Sequence, residues 1–142
     1  MIIDEAHLLN AEQLEEVRML TNHEMDARSP FACLLLGQPT LRRRVKLGTL
    51  AALDQRIALR YHLDGMDLGE TVSYIKHHLQ LAGRSDQMFN DDAIALLHQT
   101  SRGIPRAVNN LALQALIAAF IDGKGMVDEH AARAAVTEVT GD

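Results

Sequence analysis

Hydrophobic positions along this chain follow two regimes that meet near Asp64-Gly65. Before that junction, apolar residues come in short unbroken runs. Ile2-Ile3 runs into Asp4-Glu5, and Phe31-Ala-Cys-Leu-Leu-Leu36 ends at Gly37, after the breaker Ser29-Pro30. Short continuous runs bounded by turn residues predict strands buried on both faces, as in a parallel α/β sheet. Leu59-Arg-Tyr-His-Leu63 alternates and predicts a third strand. Between the runs lie helical patterns. Asn10 and Gln13 have the spacing of a capping box, ahead of an apolar face of Leu14, Val17, Leu20 and Met25. Pro39 suits the first turn of a second helix. Its inner face is Leu41, Val45 and Leu47, and its wet face is Arg42, Arg43, Arg44 and Lys46. A Leu/Ala helix follows over residues 50–57. Two parallel strands joined by a helix require a right-handed crossover, so residues 1–64 read as a piece of a doubly wound sheet.

After the junction the period becomes helical throughout. Asp67 and Glu70 form a second capping-box pair, and Leu68, Val72, Ile75, Leu79 and Ala82 repeat as one apolar stripe up to Gly83. Asn90 caps a helix carrying Ala93, Ile94 and Leu97 that ends near Gly103. Pro105 opens a long helix to about residue 122. Val108, Leu111, Leu113, Leu116, Ile117 and Phe120 make it apolar nearly all round, which predicts the central helix of a bundle. Gly123 ends it, and Asp128 caps a last helix through Val136 or Val139. The predicted architecture is an α/β segment over 1–64 and an all-α segment over 65–142.

Composition narrows the class. The chain has 142 residues, 47% apolar and 4% aromatic, with no Trp. That suits one compact domain, or one lobe plus part of another. The net charge of −5 gives no global attraction to nucleic acid or membrane surfaces. No apolar stretch reaches the ~18–20 residues of a membrane span. The short acidic opening does not have a signal-peptide pattern. The single cysteine, Cys33, reads as a reduced core residue, and the expected location is cytoplasmic.

Four places can carry chemistry. Asp4 and Glu5 end a buried strand, where ligands bind in open α/β sheets; an acidic turn leading into a helix is the competing reading. His7 beside them reads as a solvated or helix-start residue. Gly37-Gln38-Pro39-Thr40 follows the second run, either as a polar amide beside the first strand's end or as an ordinary strand-to-helix turn. Arg56 sits just before the third predicted strand, on the flank of the sheet. A planar, permanently charged guanidinium suits a phosphate, as it also suits a surface ion pair. Arg60, alternating with buried positions, is the second choice there. Arg106 follows Pro105 at a helix N-terminus, where cation and helix dipole together favour an anion.

Taken in order, Ile2-Ile3-Asp4-Glu5-Ala6-His7, Leu34-Leu35-Leu36-Gly37-Gln38-Pro39, Gln55-Arg56-Ile57, Arg60-Tyr61-His62-Leu63 and Gly103-Ile104-Pro105-Arg106 resemble the later half of an AAA+ ATPase. The similarity is to the ExeA-like group of secretion-pathway and transposon-borne ATPases. It covers essentially the whole chain, and Gly-Ile-Pro-Arg-Ala-Val-Asn-Asn (103–110) is its most specific stretch. The resemblance implies the later half of a P-loop NTPase αβα core followed by a helical lid. It implies that Asp4 and Glu5 are the Walker B carboxylates, with Asp4 on Mg2+ and Glu5 on the attacking water. Gln38 falls at sensor 1, Arg56 at the arginine finger, and Arg106 at sensor 2, contacting ATP. It further implies a homo-oligomer and a transposase or secretion-complex partner. The implied sheet order is fifth, first, fourth, third, second, with this chain supplying the third, fourth and fifth strands.

The Gly-x-x-x-x-Gly-Lys-Ser/Thr loop of the family does not occur in these residues, and Gly123-Lys124-Gly125 lies between helices with no strand before it. Catalysis of phosphoryl transfer is almost entirely positioning and charge stabilisation. The expectation is therefore a C-terminal piece, broken before Walker B, that does not hydrolyse ATP and holds nucleotide feebly, if at all. A missing first strand would leave the strand at 59–63 unpaired, with exposed backbone edges and a lid more stable than residues 1–64. Two other readings stand. One is a non-catalytic or DNA-associated module using Arg42, Arg43 and Arg44 on phosphates, against a merely solvated helix face. The other is a helicase fragment of the Asp-Glu-Ala-His class, against which stand the absence of a Gln-x-x-Gly-Arg-x-Gly-Arg run and the Arg-led four-helix lid.

Overall fold

A computed structural model describes residues 1–22 and 31–141, and Met25 and Ser29-Pro30 fall outside the described residues. The chain divides into two compact units, Met1–Tyr61 and His62–Asp142.

The first unit holds a parallel two-stranded sheet, β1 (Ile2–Ile3) and β2 (Leu34–Leu35), in register Ile2 to Leu34 and Ile3 to Leu35. The ladder runs on past the strands: Leu36 N–H donates to the Ile3 carbonyl at 2.9 Å and Ala6 N–H to the Leu36 carbonyl at 2.8 Å. After β1 come a 3-10 turn (Ala6–Leu8) and α1 (Ala11–Leu20), whose Asn10–Gln13 capping box forms as the spacing predicts. After β2 come α2 (Pro39–Val45), a 3-10 turn (Gly48–Leu50) and α3 (Ala51–Arg56). The core of this unit is Ala6, Leu14, Leu41, Val45, Leu50 and Leu53.

Several expectations fail in this unit, among them Leu20, which is exposed at the end of α1 rather than on its buried face. The strands are not buried on both faces, since Ile2, Leu34 and Leu36 are exposed. Parallel strands read as continuous apolar runs because both faces are normally covered, and here the described residues do not cover them. Residues 57–67 form no ladder, and Leu59 is 83% and Tyr61 82% exposed. An alternating pattern makes a strand only beside a partner, and none of the described residues forms a ladder with residues 59–63. Leu47 is exposed beyond the end of α2. Cys33 is half-buried rather than a core residue.

The second unit is four helices: α4 (Leu68–Leu81), α5 (Asp91–Ser101), α6 (Pro105–Ile121) and α7 (Glu129–Thr140). Side chains of Asp67, Asn90 and Asp128 cap three of them, each satisfying orphan N–H groups of a first turn. Gly83 and Gly123 follow α4 and α6 in left-handed geometry. Phe89 and Val127 bridge the α4–α5 and α6–α7 connections, through Asn90 N–H to the Val127 carbonyl at 3.0 Å and Val127 N–H to the Met88 carbonyl at 2.7 Å. The core runs from Ile75 and Phe89 through Leu97, Val108 and Leu111 to the alanines of α6 and α7. Small side chains there let α6 and α7 pack closely.

Two helical faces differ from the pattern. In α4 the buried positions are Thr71 and Ile75, while Leu68 and Val72 are exposed. The Thr71 hydroxyl donates to the Asp67 carbonyl and lies 2.9 Å from His98 Nδ1, so a satisfied polar group takes a place that periodicity gives to Val72. In α6 only one face is covered. Leu113, Ile117, Phe120 and Ile121 are exposed, Phe120 at 84%.

Candidate functional site

The carboxyl end of β1 and the turn after β2 meet. Asp4 and Glu5 follow β1 directly and both are exposed. Asp4 Oδ1 accepts from Glu5 N–H at 2.8 Å. Glu5 sits at φ 52°, ψ 30°, in the left-handed region. A non-glycine residue there is strained by roughly 1–2 kcal/mol, and such strain concentrates at functional positions. The twist turns the Glu5 carboxylate back on its own chain, with Oε2 3.2 Å from His7 Nδ1.

His7 is held from three sides. Its side chain is 11% exposed. Gln38 N–H points at Nδ1 at 3.4 Å, and the Arg44 guanidinium donates to the His7 and Leu9 carbonyls. Gly37 makes this approach possible, because a Cβ there would lie 3.1 Å from His7 N and 3.4 Å from Nδ1. His7 is thus a near-buried junction residue rather than a solvated one. Arg44 is not on the wet face of α2, where only Arg42, Arg43 and Lys46 remain exposed. Sequence reasoning missed both roles. The signal for His7 was its position three residues after Asp4; nothing in the run Arg42-Arg43-Arg44 distinguished its last member.

Gln38 is exposed at the N-cap of α2, on the same rim as Asp4 and Glu5, with no capping bond from its side chain. Arg56, at the end of α3, is half-buried and donates from Nη2 to the Thr21 carbonyl at 2.8 Å. Arg60 binds the Asp54 carboxylate at 2.8 Å and also the Asp54 carbonyl, so it is engaged in a local ion pair. Arg106 lies in the second unit, exposed on the first turn of α6, whose N-cap Ile104 makes no side-chain cap. Gly103 before it has a backbone role: at φ +69°, its carbonyl accepts from Met66 N–H at 2.9 Å. The groove on α4 and α5 between Val72, Ile75, Leu79, Met88, Phe89 and Ile94 includes none of these residues.

Carboxylate oxygens are hard donors that suit Mg2+. Among the described residues no cluster of three or more His, Cys, Asp or Glu side chains could enclose an ion. Asp4 fits the other mode of magnesium binding, in which one or two carboxylates share the ion with water and phosphate oxygens. No helix among the described residues is long and apolar enough to cross a membrane.

Comparison with known proteins bears on the family and the fold. Residues 1–45 match the AAA domain family. Over 141 residues the chain is 37% identical to general secretion pathway protein A of Aeromonas hydrophila, covering 99% of this chain and 26% of that protein. It therefore spans about a quarter of the length of the curated relative it matches. Two variant structures of Thermotoga maritima RuvB superpose on 97% of this chain and 43% of their own, with TM-scores of 0.68 and 0.62 at 20% and 22% identity. Those structures establish the fold: part of a P-loop core with a parallel sheet, together with a helical part. Residues 1–45 thus match an AAA domain, the whole chain is similar to part of an ExeA-like secretion protein, and its fold is the one seen in RuvB.

Proposed function

We propose that this chain is the Walker B-to-lid portion of an AAA+ ATPase that binds and hydrolyses ATP in its longer form. The observation that carries the reading is the juxtaposition of Asp4, Glu5 and Gln38 on one rim, at the carboxyl ends of two paired parallel strands. That is where open α/β sheets place their ligands. The exposed apolar positions Ile2, Leu34, Leu36, Leu59, Tyr61 and Leu63 support it, because they are surfaces that further core would cover.

In this reading Asp4 holds magnesium together with water and the nucleotide. The bound ion would neutralise charge developing on the transferred phosphoryl group. Glu5 orients the attacking water, Gln38 contacts the γ-phosphate or that water, and Arg106 meets the phosphates from the lid. Arg56 acts as a finger on a neighbouring subunit's nucleotide in a homo-oligomer, after leaving the Thr21 carbonyl. The whole protein would be a cytoplasmic accessory of secretion or of transposition, with a secretion complex or a transposase as partner.

A polypeptide of these 142 residues alone should not turn over ATP, because they contain no Gly-x-x-x-x-Gly-Lys-Ser/Thr nest for the phosphates. Joined in frame to a segment bearing that loop, they should. Glu5→Gln should then abolish turnover, and Arg56→Ala should lower it by ~10³–10⁵. Turnover by the 142-residue chain alone, or activity that survives Glu5→Gln, would end the proposal.

The DNA-associated reading is weaker after the structure, because Arg44 is committed to backbone carbonyls and only Arg42, Arg43 and Lys46 remain to meet phosphates.

A further inference from the structure

One ring nitrogen of His7 faces two groups that ask opposite things of it. Nδ1 is 3.2 Å from Glu5 Oε2, an acceptor, and 3.4 Å from Gln38 N–H, a donor. An imidazole nitrogen either carries a proton and donates or keeps its lone pair and accepts. It cannot serve both groups at once. The backbone on either side of the ring is held by hydrogen bonds. Ala6 N–H is tied to Leu36 and Arg44 to the His7 carbonyl. The missing side chain of Gly37 brings the β2–α2 turn against the ring. At this contact the groups that can change are the proton on Nδ1 and the Glu5 carboxylate, and Glu5 is the exposed member of the pair, at 64%.

We propose that His7 is a positioning residue that couples the orientation of Glu5 to the backbone of the turn at Gln38. With the proton on Nδ1 the ring donates to Glu5 and holds its carboxylate against the chain, away from the rim. With the proton on Nε2, Nδ1 accepts from Gln38 N–H, the turn is pinned, and Glu5 is released toward the rim. One proton position on one ring thus links the two groups assigned to the attacking water and the γ-phosphate. The catalytic meaning rests on the reading of Glu5 and Gln38 given under Proposed function; the coupling itself is a property of this chain.

The coupling can be read in the 142-residue chain by nitrogen-15 resonances of the imidazole and the backbone. Wild type should show Nδ1 protonated. Glu5→Ala removes the acceptor, so Nδ1 should change to the unprotonated type and the Gln38 amide resonance should move. In a His7→Phe background, the same Glu5→Ala change should leave the Gln38 amide in place. A Gln38 amide that responds equally in both backgrounds overturns the proposal. So does an Nδ1 signal indifferent to Glu5→Ala, a measurement that needs no His7 variant to fold.

In a loop-bearing chain, His7→Phe should lower kcat about ten- to a hundredfold while KM changes little. A purely structural defect would reduce the active fraction without the amide coupling. Loss of turnover in Glu5→Gln with kcat untouched in His7→Phe sinks this inference and leaves the functional reading standing. Turnover that survives Glu5→Gln sinks the functional reading, and the catalytic role of His7 with it.

Discussion

Single side chains in this protein do work that their neighbours in sequence do not share, and Arg44 is the plainest case. Arg42, Arg43 and Arg44 are one run in sequence, yet only Arg44 is half-buried, with its guanidinium on the His7 and Leu9 carbonyls. Those carbonyls belong to the 3-10 turn that follows Glu5 and to its C-terminal cap, Leu9. Hydrogen bonds from a charged donor contribute about 1.5–3 kcal/mol, and losing the donor leaves the acceptors unsatisfied. Arg44→Ala should therefore speed amide exchange at Ala6–Leu9 by a factor matching a loss of that size, whereas Arg42→Ala and Arg43→Ala should stay within ~0.5 kcal/mol of wild type. Equal effects from all three would mean that the Arg44 contacts contribute nothing. A second residue-scale case is Asp86. The Arg84 guanidinium hydrogen-bonded to it holds its carboxyl at about 2, below the ordinary 3.8. A depressed carboxylate pKa favours the folded state above the ordinary value, and that contribution fades as pH falls through the depressed one. Both side chains are more than half exposed, so solvent and salt screen the pair. A carboxyl titration should find the Asp86 midpoint near 2 in wild type, and Arg84→Ala should return it toward the ordinary range; a midpoint indifferent to Arg84 would deny the pairing.

Elements were legible where the signal is local and illegible where it depends on what lies alongside. Capping boxes at Asn10–Gln13 and Asp67–Glu70, caps at Asn90 and Asp128, and stops at Gly83 and Gly123 could all be read from a few adjacent residues. They hold because each satisfies backbone groups within one turn. The pairing of β1 with β2 was legible through the resemblance to a known sheet order. The stretch at 59–63 was not, since alternation specifies a strand face but supplies no partner. The covered face of α6 was legible only in part: Val108 and Leu111 are buried as the pattern predicts, but Ala115 and Ala119 continue that face while Leu113, Ile117 and Phe120 are exposed. The rim residues Asp4, Glu5 and Gln38 were nameable from motif order, but the His7 junction needed coordinates, because it joins residues 31 positions apart. The Gly-Ile-Pro-Arg motif carries an element-scale prediction. A Cβ on Gly103 would lie 1.9 Å from the Met66 carbonyl oxygen, and one on Gly65 2.0 Å from the Arg102 carbonyl oxygen. The two backbones interlock where the chain enters α4 and α6. Gly103→Ala should destabilise the helical unit by well over ~2 kcal/mol, from the left-handed strain and the overlap together. Gly125→Ala, which meets open space, should fall within ~0.5 kcal/mol of wild type. Thermal unfolding followed by the helical signal compares them, and equal midpoints would remove the interlock as a constraint.

At the scale of the molecule, the two units differ in how far each buries its own apolar surface. The described core of the helical unit is thirteen buried residues spanning all four helices. That of the first unit is six, around a sheet of two residues per strand with Ile2, Leu34 and Leu36 exposed. Burial of a large aliphatic or aromatic side chain contributes about 1.5–3 kcal/mol, against an ordering cost of about 1–2 kcal/mol per residue for the backbone alone. A helix bundle also satisfies its backbone internally, whereas a two-stranded sheet leaves both edges open and is marginal by itself. The helical unit should therefore be the one that stands alone. A polypeptide of residues 62–142 should unfold cooperatively, with the Phe89–Val127 bridge and the α6–α7 core amides the slowest to exchange. In the whole chain, amides of β1, β2 and the 3-10 turns should exchange much faster than those of α5 and α6. Local openings range from nearly free at weakly packed segments up to the global stability in cores, so the two sets should separate clearly. Equal protection in both units would show that the first is supported by more than its six core residues. Within the AAA+ reading, a lower stability of residues 1–61 would have a functional side. A strained Glu5 on a weakly braced sheet would then be free to take either His7-linked orientation, and added core against Ile2, Leu34 and Leu36 should narrow that freedom. The β1 and β2 amides would then slow toward those of α6 in a loop-bearing chain, and failure to slow would mean that those exposed faces are not where further core packs.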